Sequence, residues 1–197
     1  MSSSCFKGIS FQPVLTLPRL TVIKLSGSLI ALIGPASVSI TISSIFRSSI
    51  TIKLPQSISD TLELRQSFIG RVKDRKITYI NSKKDDSYIY ANISSLGKYI
   101  ISRDTIKPEI KPINFKQNSN ISDRSSIRLR LKDDVSGIKS YNAFLNGKWA
   151  LFEYDPKSNL IFHKISDNII NKGENILLIN FQDGVGNKGV YRATLYY

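Results

Sequence analysis

The chain has 197 residues, of which 41% are hydrophobic, enough for one large or two small packed domains and too many for simple disorder. Its formal net charge is +13, but residues 1–59, 60–103 and 104–197 contribute +5, +4 and +4, so no segment holds a concentrated basic patch. A diffuse basic surface predicts salt-sensitive, non-specific adhesion. We therefore expect no specific nucleic-acid partner, and a basic polyanion-binding protein is kept only as a second alternative.

Cysteine content and targeting signals point to no specific site or location. Cys5 is the only cysteine, so neither an intrachain disulfide nor a cysteine-based zinc site is expected. Pro13 and Pro18 interrupt the apolar residues near the start, and no secretory signal is visible. No apolar run approaches the ~20 residues that span a bilayer, so we expect no transmembrane segment.

Residues 1–59 form a compositional block with fourteen Ser, ten Ile and no acidic residue. Within it, β-branched residues alternate with small hydroxyl residues and predict strands at 38–42 and 49–54. Two explanations for the missing acids stay open. The block is an incomplete domain whose missing strands once covered it, or a start of the reading frame that does not reflect a folded unit.

After residue 60 the composition becomes ordinary. Residues 76–80 and 87–93, joined by a polar turn, predict a hairpin, and residues 98–102 predict a last strand. Pro108 and Pro112 favour extended backbone before them, which suits a domain junction. We therefore expect a β-rich N-terminal region at 1–103, atypical in its first 59 residues, and a second domain at 104–197.

The second domain shows seven strand-like runs, at residues 110–115, 126–132, 137–145, 150–154, 160–165, 174–182 and 188–196. The turns between them include Asn146-Gly147 and Asp183-Gly184, which favour tight reversals. Seven short strands over about ninety residues are typical of an immunoglobulin-like sandwich. The expected fold class is thus all-β, with an immunoglobulin-like β-sandwich at the C-terminus preceded by a second, incomplete or atypical β-rich domain.

This domain contains an internal sequence repeat. Residues 131–141 align without gaps with residues 181–191. Each copy has an apolar strand end, an Asp-led turn with Gly, and a new strand that closes on Tyr. The topology places both turns at one end of the sandwich, with oxygen-bearing side chains at Asp133, Asp134, Ser136, Asp183 and Asn187. We expect these side chains to cap turn backbone, with calcium binding as the alternative.

Alternation predicts which side chains face the core. In residues 126–132 it places Leu129 and Leu131 inward. His163, the only histidine, falls on the opposite face from Phe162 and is predicted to be a surface residue. We expect Trp149 to fill the core with three other rings. Those rings are Tyr141, Phe181 and Tyr191. The alternative is a sugar-stacking platform of Trp149, Phe152 and Tyr154.

No catalytic, cofactor-binding or metal-binding residue is predicted, and we expect a protein that is not an enzyme. One imidazole without a nucleophile elbow does not make a Ser-His-Asp site, and a typical zinc site cannot be assembled from it. No phosphate-binding Gly-rich loop precedes a helix.

Five segments carry a family resemblance: residues 102–110, 134–141, 145–149, 153–157 and 183–187. They resemble the C-terminal region of lysostaphin-type zinc metallopeptidases of Gram-negative bacteria, in which a peptidase domain that acts on peptidoglycan precedes immunoglobulin-like modules. The resemblance extends over residues 70–197. The family binds zinc partly through a His-x-His pair, which no position of this chain matches, so none of the family's functional residues is carried over.

The resemblance implies an accessory segment of an envelope enzyme without the enzyme. We expect a non-catalytic accessory or binding module, a truncated or split portion of a cell-envelope peptidase located in the envelope or periplasm. Its expected partners are peptidoglycan or a peptidase domain. The alternative is a part of a peptidoglycan metalloendopeptidase whose catalytic zinc domain is encoded elsewhere.

Overall fold

The structure is a computed structural model that describes residues 9–10, 21–25, 29–34, 37–42, 50–167 and 169–197. It divides into two compact units, residues 1–105 and residues 106–197. The division lies two residues beyond the predicted boundary between residues 103 and 104. Both units are built from β-strands, and the fold class is all-β.

The described elements of the first unit are β1 (Ile9–Ser10), β2 (Thr21–Leu25), β3 (Leu29–Gly34), β4 (Ser37–Ile42), β5 (Ile50–Pro55), α1 (Thr61–Gln66), β6 (Ser67–Lys73), β7 (Lys76–Ile80), β8 (Lys83–Lys84), β9 (Tyr88–Ile93) and β10 (Gly97–Asp104). One sheet has the order β2-β3-β4-β10-β6-β7, with β1 also paired to β10, and a second has the order β5-β9-β8. Ile52 and Ile89 from the second sheet share a buried cluster with Ile69 and Tyr99 from the first. The two sheets therefore enclose one core.

Both strands predicted in the first 59 residues are confirmed as β4 and β5. The predicted hairpin of β7 with β9 is wrong. Strand β7 pairs with β6 through a turn in which Asp74 and Arg75 have φ of 48° and 63°, the conformation of a type I′ reversal. Strand β9 pairs instead with β5 and β8. Alternation identified both strands, but β5, one of the two partners of β9, lies more than thirty residues away in sequence.

Helix α1 was not predicted. Asp60 is its N-cap, and its Oδ1 accepts a 2.6 Å hydrogen bond from the Glu63 backbone N–H. With only six residues, the helix is too short to show a period in the sequence. No described helix is long and apolar enough to span a bilayer.

The described elements of the second unit are β11 (Glu109–Pro112), β12 (Ser119–Asn120), β13 (Ser126–Lys132), β14 (Ile138–Leu145), β15 (Lys148–Ala150), β16 (Glu153–Asp155), β17 (Leu160–Lys164), a 3₁₀ turn (Ile165–Asp167), β18 (Glu174–Asp183) and β19 (Lys188–Tyr196). A four-stranded sheet has the order β11-β13-β17-β16. A five-stranded sheet has the order β12-β19-β18-β14-β15. Among the described strands of this unit, only β12 pairs in parallel, with β19.

The two sheets of the second unit enclose a single core. Leu129 and Leu131 of β13 are fully buried, as alternation predicted, and they share a cluster with Leu177 and Ile179 of β18. Burying a Leu or Ile side chain contributes about 1.5–3 kcal/mol. Such a core within residues 106–197 accounts for a separate unit.

The run predicted at residues 150–154 is two strands in different sheets. Strand β15 pairs with β14 in the five-stranded sheet, and β16 pairs with β17 in the four-stranded sheet. Leu151 and Phe152 connect them, so the chain passes from one sheet to the other at these two residues.

Candidate functional site

The first Asp-led turn follows β13 and is organised around one carboxylate. Oδ1 of Asp133 accepts hydrogen bonds from the backbone N–H groups of Val135, Ser136 and Gly137, at 3.1, 2.8 and 2.7 Å. Gly137 has φ of 73°, which Gly adopts without steric cost. The carboxylate of Asp133 thus provides acceptors for turn N–H groups that have no partner in a β-sheet.

The second turn repeats this arrangement after β18. Oδ1 of Asp183 accepts from the backbone N–H of Val185 at 3.0 Å and from that of Asn187 at 2.7 Å. Oδ2 accepts from Nδ2 of Asn187 at 2.7 Å, and the same amide lies 3.4 Å from the carbonyl of Ile106. Asp183 is fully buried. Its bonds hold the turn and bring it to the start of the unit.

The two turns lie side by side, as the sequence predicted. The backbone N–H of Gly184 donates to the carbonyl of Gly137 at 3.0 Å. Oxygen atoms of Asp133 and Asp183 lie within 4.8 Å of one another. Burial raises the pKa of Asp133, the charge of Asp183 raises it further, and the backbone hydrogen bonds lower it in part.

Three of the five predicted oxygen-bearing residues, Asp133, Asp183 and Asn187, therefore meet. Ser136 is buried in the first turn, whereas Asp134 is exposed and pairs with Nζ of Lys132 at 2.6 Å. The observed bonds of both carboxylates are those expected for turn capping. Calcium binding stays an untested alternative.

His163 is not the surface residue that alternation predicted, because its side chain is only 1% exposed. Its Nδ1 lies 2.8 Å from the carbonyl oxygen of Leu151, and since a carbonyl only accepts, Nδ1 carries the proton. Its ring stacks on that of Phe152. The hydroxyl of Tyr141 donates to the carbonyl of Phe152 at 2.6 Å. The two residues that change sheets are therefore each held by a side chain.

Trp149 is also placed differently from the prediction, since it is 59% exposed rather than part of the core. It lies on β15, the last strand of the five-stranded sheet, where the next residue, Ala150, points inward and is buried. Phe181 is buried as predicted, and Tyr141 and Tyr191 are partly buried against the core. Because successive residues of a strand point to opposite faces of the sheet, the ring of Trp149 lies on the outer face.

The predicted sugar platform does not form as stated. Phe152 is 2% exposed and belongs to the core, and Tyr154 packs against it. Trp149 has different neighbours, which alternation within a single strand does not reveal. In the register of the five-stranded sheet, Trp149 lies opposite Phe144 of β14. On the other side of β14, Phe144 lies opposite Leu178 of β18.

Arg192 of β19 lies opposite Leu178 in turn. Trp149, Phe144, Leu178 and Arg192 therefore form one row across four strands, β15, β14, β18 and β19. One step along the strands, Asn142, Asn180 and Val190 form a second row on the same side. All three are exposed, Val190 by 64%. We call this surface the Trp149 face and define it as Trp149, Phe144, Leu178, Arg192, Asn142, Asn180 and Val190.

No protein-family model matches the chain, and no curated protein matches it significantly. Among solved structures, an endo-β-1,4-mannanase from Thermotoga petrophila aligns over 47% of this chain and 20% of its own, at 12% identity and a TM-score of 0.39. The spore cortex lytic enzyme SleM of Clostridium perfringens aligns over 61% of this chain and 38% of its own, at 15% identity and a TM-score of 0.32. The chain thus spans well under half of either enzyme, and similarity this low assigns neither fold nor activity.

Proposed function

We propose that this chain is a non-catalytic accessory module of a bacterial cell-envelope peptidase, with an immunoglobulin-like β-sandwich as its C-terminal unit. The observation that carries the proposal is the strand order of that unit. If β11, β13, β14, β16, β17, β18 and β19 are read as strands A, B, C, D, E, F and G, one sheet has the order A-B-E-D and the other contains G-F-C. This is the order of an immunoglobulin constant domain.

The two remaining strands fit the same architecture as edge additions. Strand β15 extends the second sheet beyond strand C, and β12 pairs in parallel with strand G. An immunoglobulin-like unit is what the resemblance to lysostaphin-type peptidases implies for this part of the chain. The association with a cell-envelope peptidase comes from that resemblance alone.

The side chains with potential for chemistry support a non-catalytic role. In the described part of the second unit, Asp133 and Asp183 accept hydrogen bonds from turn backbone, and the buried His163 donates to the Leu151 carbonyl. A general base or nucleophile needs access to a substrate, and a side chain whose polar atoms are committed to backbone partners lacks that access. These groups therefore fit a scaffold, and we place the recognition surface on the outside of a sheet.

A digestion assay tests the non-catalytic role. Purified protein is incubated with insoluble peptidoglycan, with and without added zinc, and soluble fragments are measured. We expect none under either condition, and zinc-dependent release would overturn the proposal. Cosedimentation with the same material tests the envelope assignment, and protein that stays in the supernatant at moderate salt would contradict it.

The alternative is a portion of a metalloendopeptidase whose zinc domain is encoded elsewhere. It predicts a neighbouring upstream reading frame that encodes a His-x-His pair. Reading the adjacent DNA tests this alternative, because without such a frame the split-gene explanation fails and a separate binding module is favoured.

A further inference from the structure

We propose that the Trp149 face binds an acidic polysaccharide. The proposal deepens the proposed function, on which it rests for the non-catalytic role, by naming a ligand class and the surface that takes it. Its first support is the continuous outer row of the five-stranded sheet, in which Trp149, Phe144 and Leu178 lie side by side. Neighbouring strands are about 4.8 Å apart, so this row is an extended strip rather than a pocket.

An aromatic strip on a flat sheet suits a sugar ring. The axial C–H bonds of a pyranose make one face apolar, and a planar aromatic ring packs against such a face. Trp149 supplies an exposed ring, and Phe144 is the half-buried ring next to it. A strand-forming partner would instead use the edge of β15, so it would not require the rings on the face.

Polar groups flank the strip where sugar hydroxyls would lie. Asn142 and Asn180 are opposite each other in the adjoining row, and both are exposed. Each side-chain amide offers donors and acceptors, which matches neighbouring hydroxyl or acetamido groups on a glycan. A surface for a purely apolar partner would not need this row.

Charge selects an acidic glycan over a neutral one. Arg192 ends the apolar row, and Lys188 lies on the same side of β19. Among the described residues no carboxylate lies within ion-pair distance of either cation. A guanidinium binds a carboxylate through two parallel hydrogen bonds, so Arg192 is available for a uronate or lactyl carboxylate.

The chain offers a direct reporter, because Trp149 is its only tryptophan. We would titrate the full chain with alginate oligosaccharides as the acidic probe and with cello-oligosaccharides as the neutral one, following tryptophan fluorescence. The proposal expects a saturable fluorescence change and protection from acrylamide quenching with the acidic probe, and binding at least about tenfold weaker with the neutral probe. Unchanged fluorescence with alginate at every concentration would overturn it.

Variants separate stacking from general attraction to polyanions. Trp149→Ala keeps the net charge and should weaken alginate binding, measured by calorimetry, about tenfold, whereas Arg192→Gln should remove most of the preference for the acidic probe. Tyr88→Ala removes an exposed ring from the other unit and should change the affinity less than about twofold. Equal binding by wild type and Trp149→Ala would show polyanion adhesion only and overturn the proposal.

Two further outcomes are decisive. A concentration-dependent dimer that Trp149→Ala abolishes, without alginate binding, would assign the face to a second copy of the chain and overturn the glycan proposal. Alginate binding through Trp149 without binding to insoluble peptidoglycan would support the face and contradict only the envelope assignment. Thermal unfolding checks that each variant is folded, which the exposure of Trp149 leads us to expect.

Discussion

The ring of His163 lies stacked on the ring of Phe152, with centroids 5.2 Å apart and planes inclined by 22°. The same imidazole binds the carbonyl of Leu151 through Nδ1. Leu151 and Phe152 are the residues at which the chain leaves one sheet for the other, so the Leu151 carbonyl has no strand partner there. A carbonyl outside the strand ladder needs another donor, and the buried imidazole of His163 on β17 provides one.

We predict that His163→Phe destabilises the protein although it keeps an aromatic ring. The carbonyl of Leu151 would lose its imidazole donor, and a hydrogen bond of this kind contributes about 0.5–1.5 kcal/mol. His163→Ala should cost more, about 3–5 kcal/mol, because the contact with Phe152 and the ring volume are lost as well. Urea unfolding followed by circular dichroism measures both changes.

Lys164→Ala is the matched control on the same strand. Its ion pair with Glu153 is exposed, so its removal should change the free energy of unfolding by less than about 1 kcal/mol. If His163→Phe were as stable as wild type, the Leu151 hydrogen bond would contribute nothing and this explanation of the sheet change would be wrong.

A second prediction concerns pH and Asp133. Its pKa in the folded state is raised above the ordinary 3.8, chiefly by burial, so the folded state binds this proton more tightly than the unfolded state. Its titration therefore favours folding fully below pH 3.8, and that contribution is lost as pH rises through the raised folded-state value. Asp133→Asn should abolish this loss, since an amide does not titrate.

The same substitution leaves the turn intact, because the amide oxygen can still accept from Val135, Ser136 and Gly137. At pH 7 we expect Asp133→Asn to be at least as stable as wild type. Asp133→Ala, which lacks the acceptor, should lose about 1–3 kcal/mol. Urea unfolding at a series of pH values gives both results. A less stable Asp133→Asn at pH 7 would mean that the charge itself stabilises the turn.

The strands of the second unit were predictable because their signals are local. Strands β13 and β19 have the predicted bounds, and the paired Asp-led turns were visible as a repeat. Alternation also separated Phe162 from His163 correctly. It could not say which of them faces the core, because that depends on the sheet packed against β17.

The Trp149 face could not be predicted for a related reason. Phe144 and Trp149 are close in sequence, but Leu178 and Arg192 join them only through the register of β18 between β14 and β19. Such a register needs the whole sheet. Whether Trp149 is buried or exposed likewise depends on the position of β15 at the edge of the five-stranded sheet. The sequence predicted one continuous run at residues 150–154, so it did not show that β15 and β16 are separate strands.

A third prediction tests the close contact between Gly189 and Phe181, which are opposite each other on β19 and β18. A Cβ at position 189 would lie 2.3 Å from Cε2 of Phe181, so the buried ring would have to move. Gly189→Ala should therefore cost about 1–3 kcal/mol. Combining it with Phe181→Leu should cost less than the sum of the two single changes, because the smaller side chain leaves room for the methyl group.

The control for this double-mutant cycle is Val190→Ala, one residue away and mostly exposed. It should change the free energy of unfolding by no more than about 0.5 kcal/mol. Chemical denaturation of the wild type, the two single variants, the double variant and Val190→Ala gives the free energies of unfolding. Strict additivity of Gly189→Ala and Phe181→Leu would show that the ring does not oppose the methyl group.

The last prediction is that residues 106–197 fold without the rest of the chain. Their core includes Leu129, Leu131, Leu177 and Ile179, which come from both sheets of this unit and need no residue from outside it. Limited proteolysis of the full chain should leave a resistant fragment that begins near residue 103. The fragment 106–197, expressed alone, should unfold cooperatively, with Trp149 fluorescence and circular dichroism giving the same midpoint. Cleavage spread evenly through this range, or different midpoints for the two signals, would show that the unit depends on the N-terminal part of the chain.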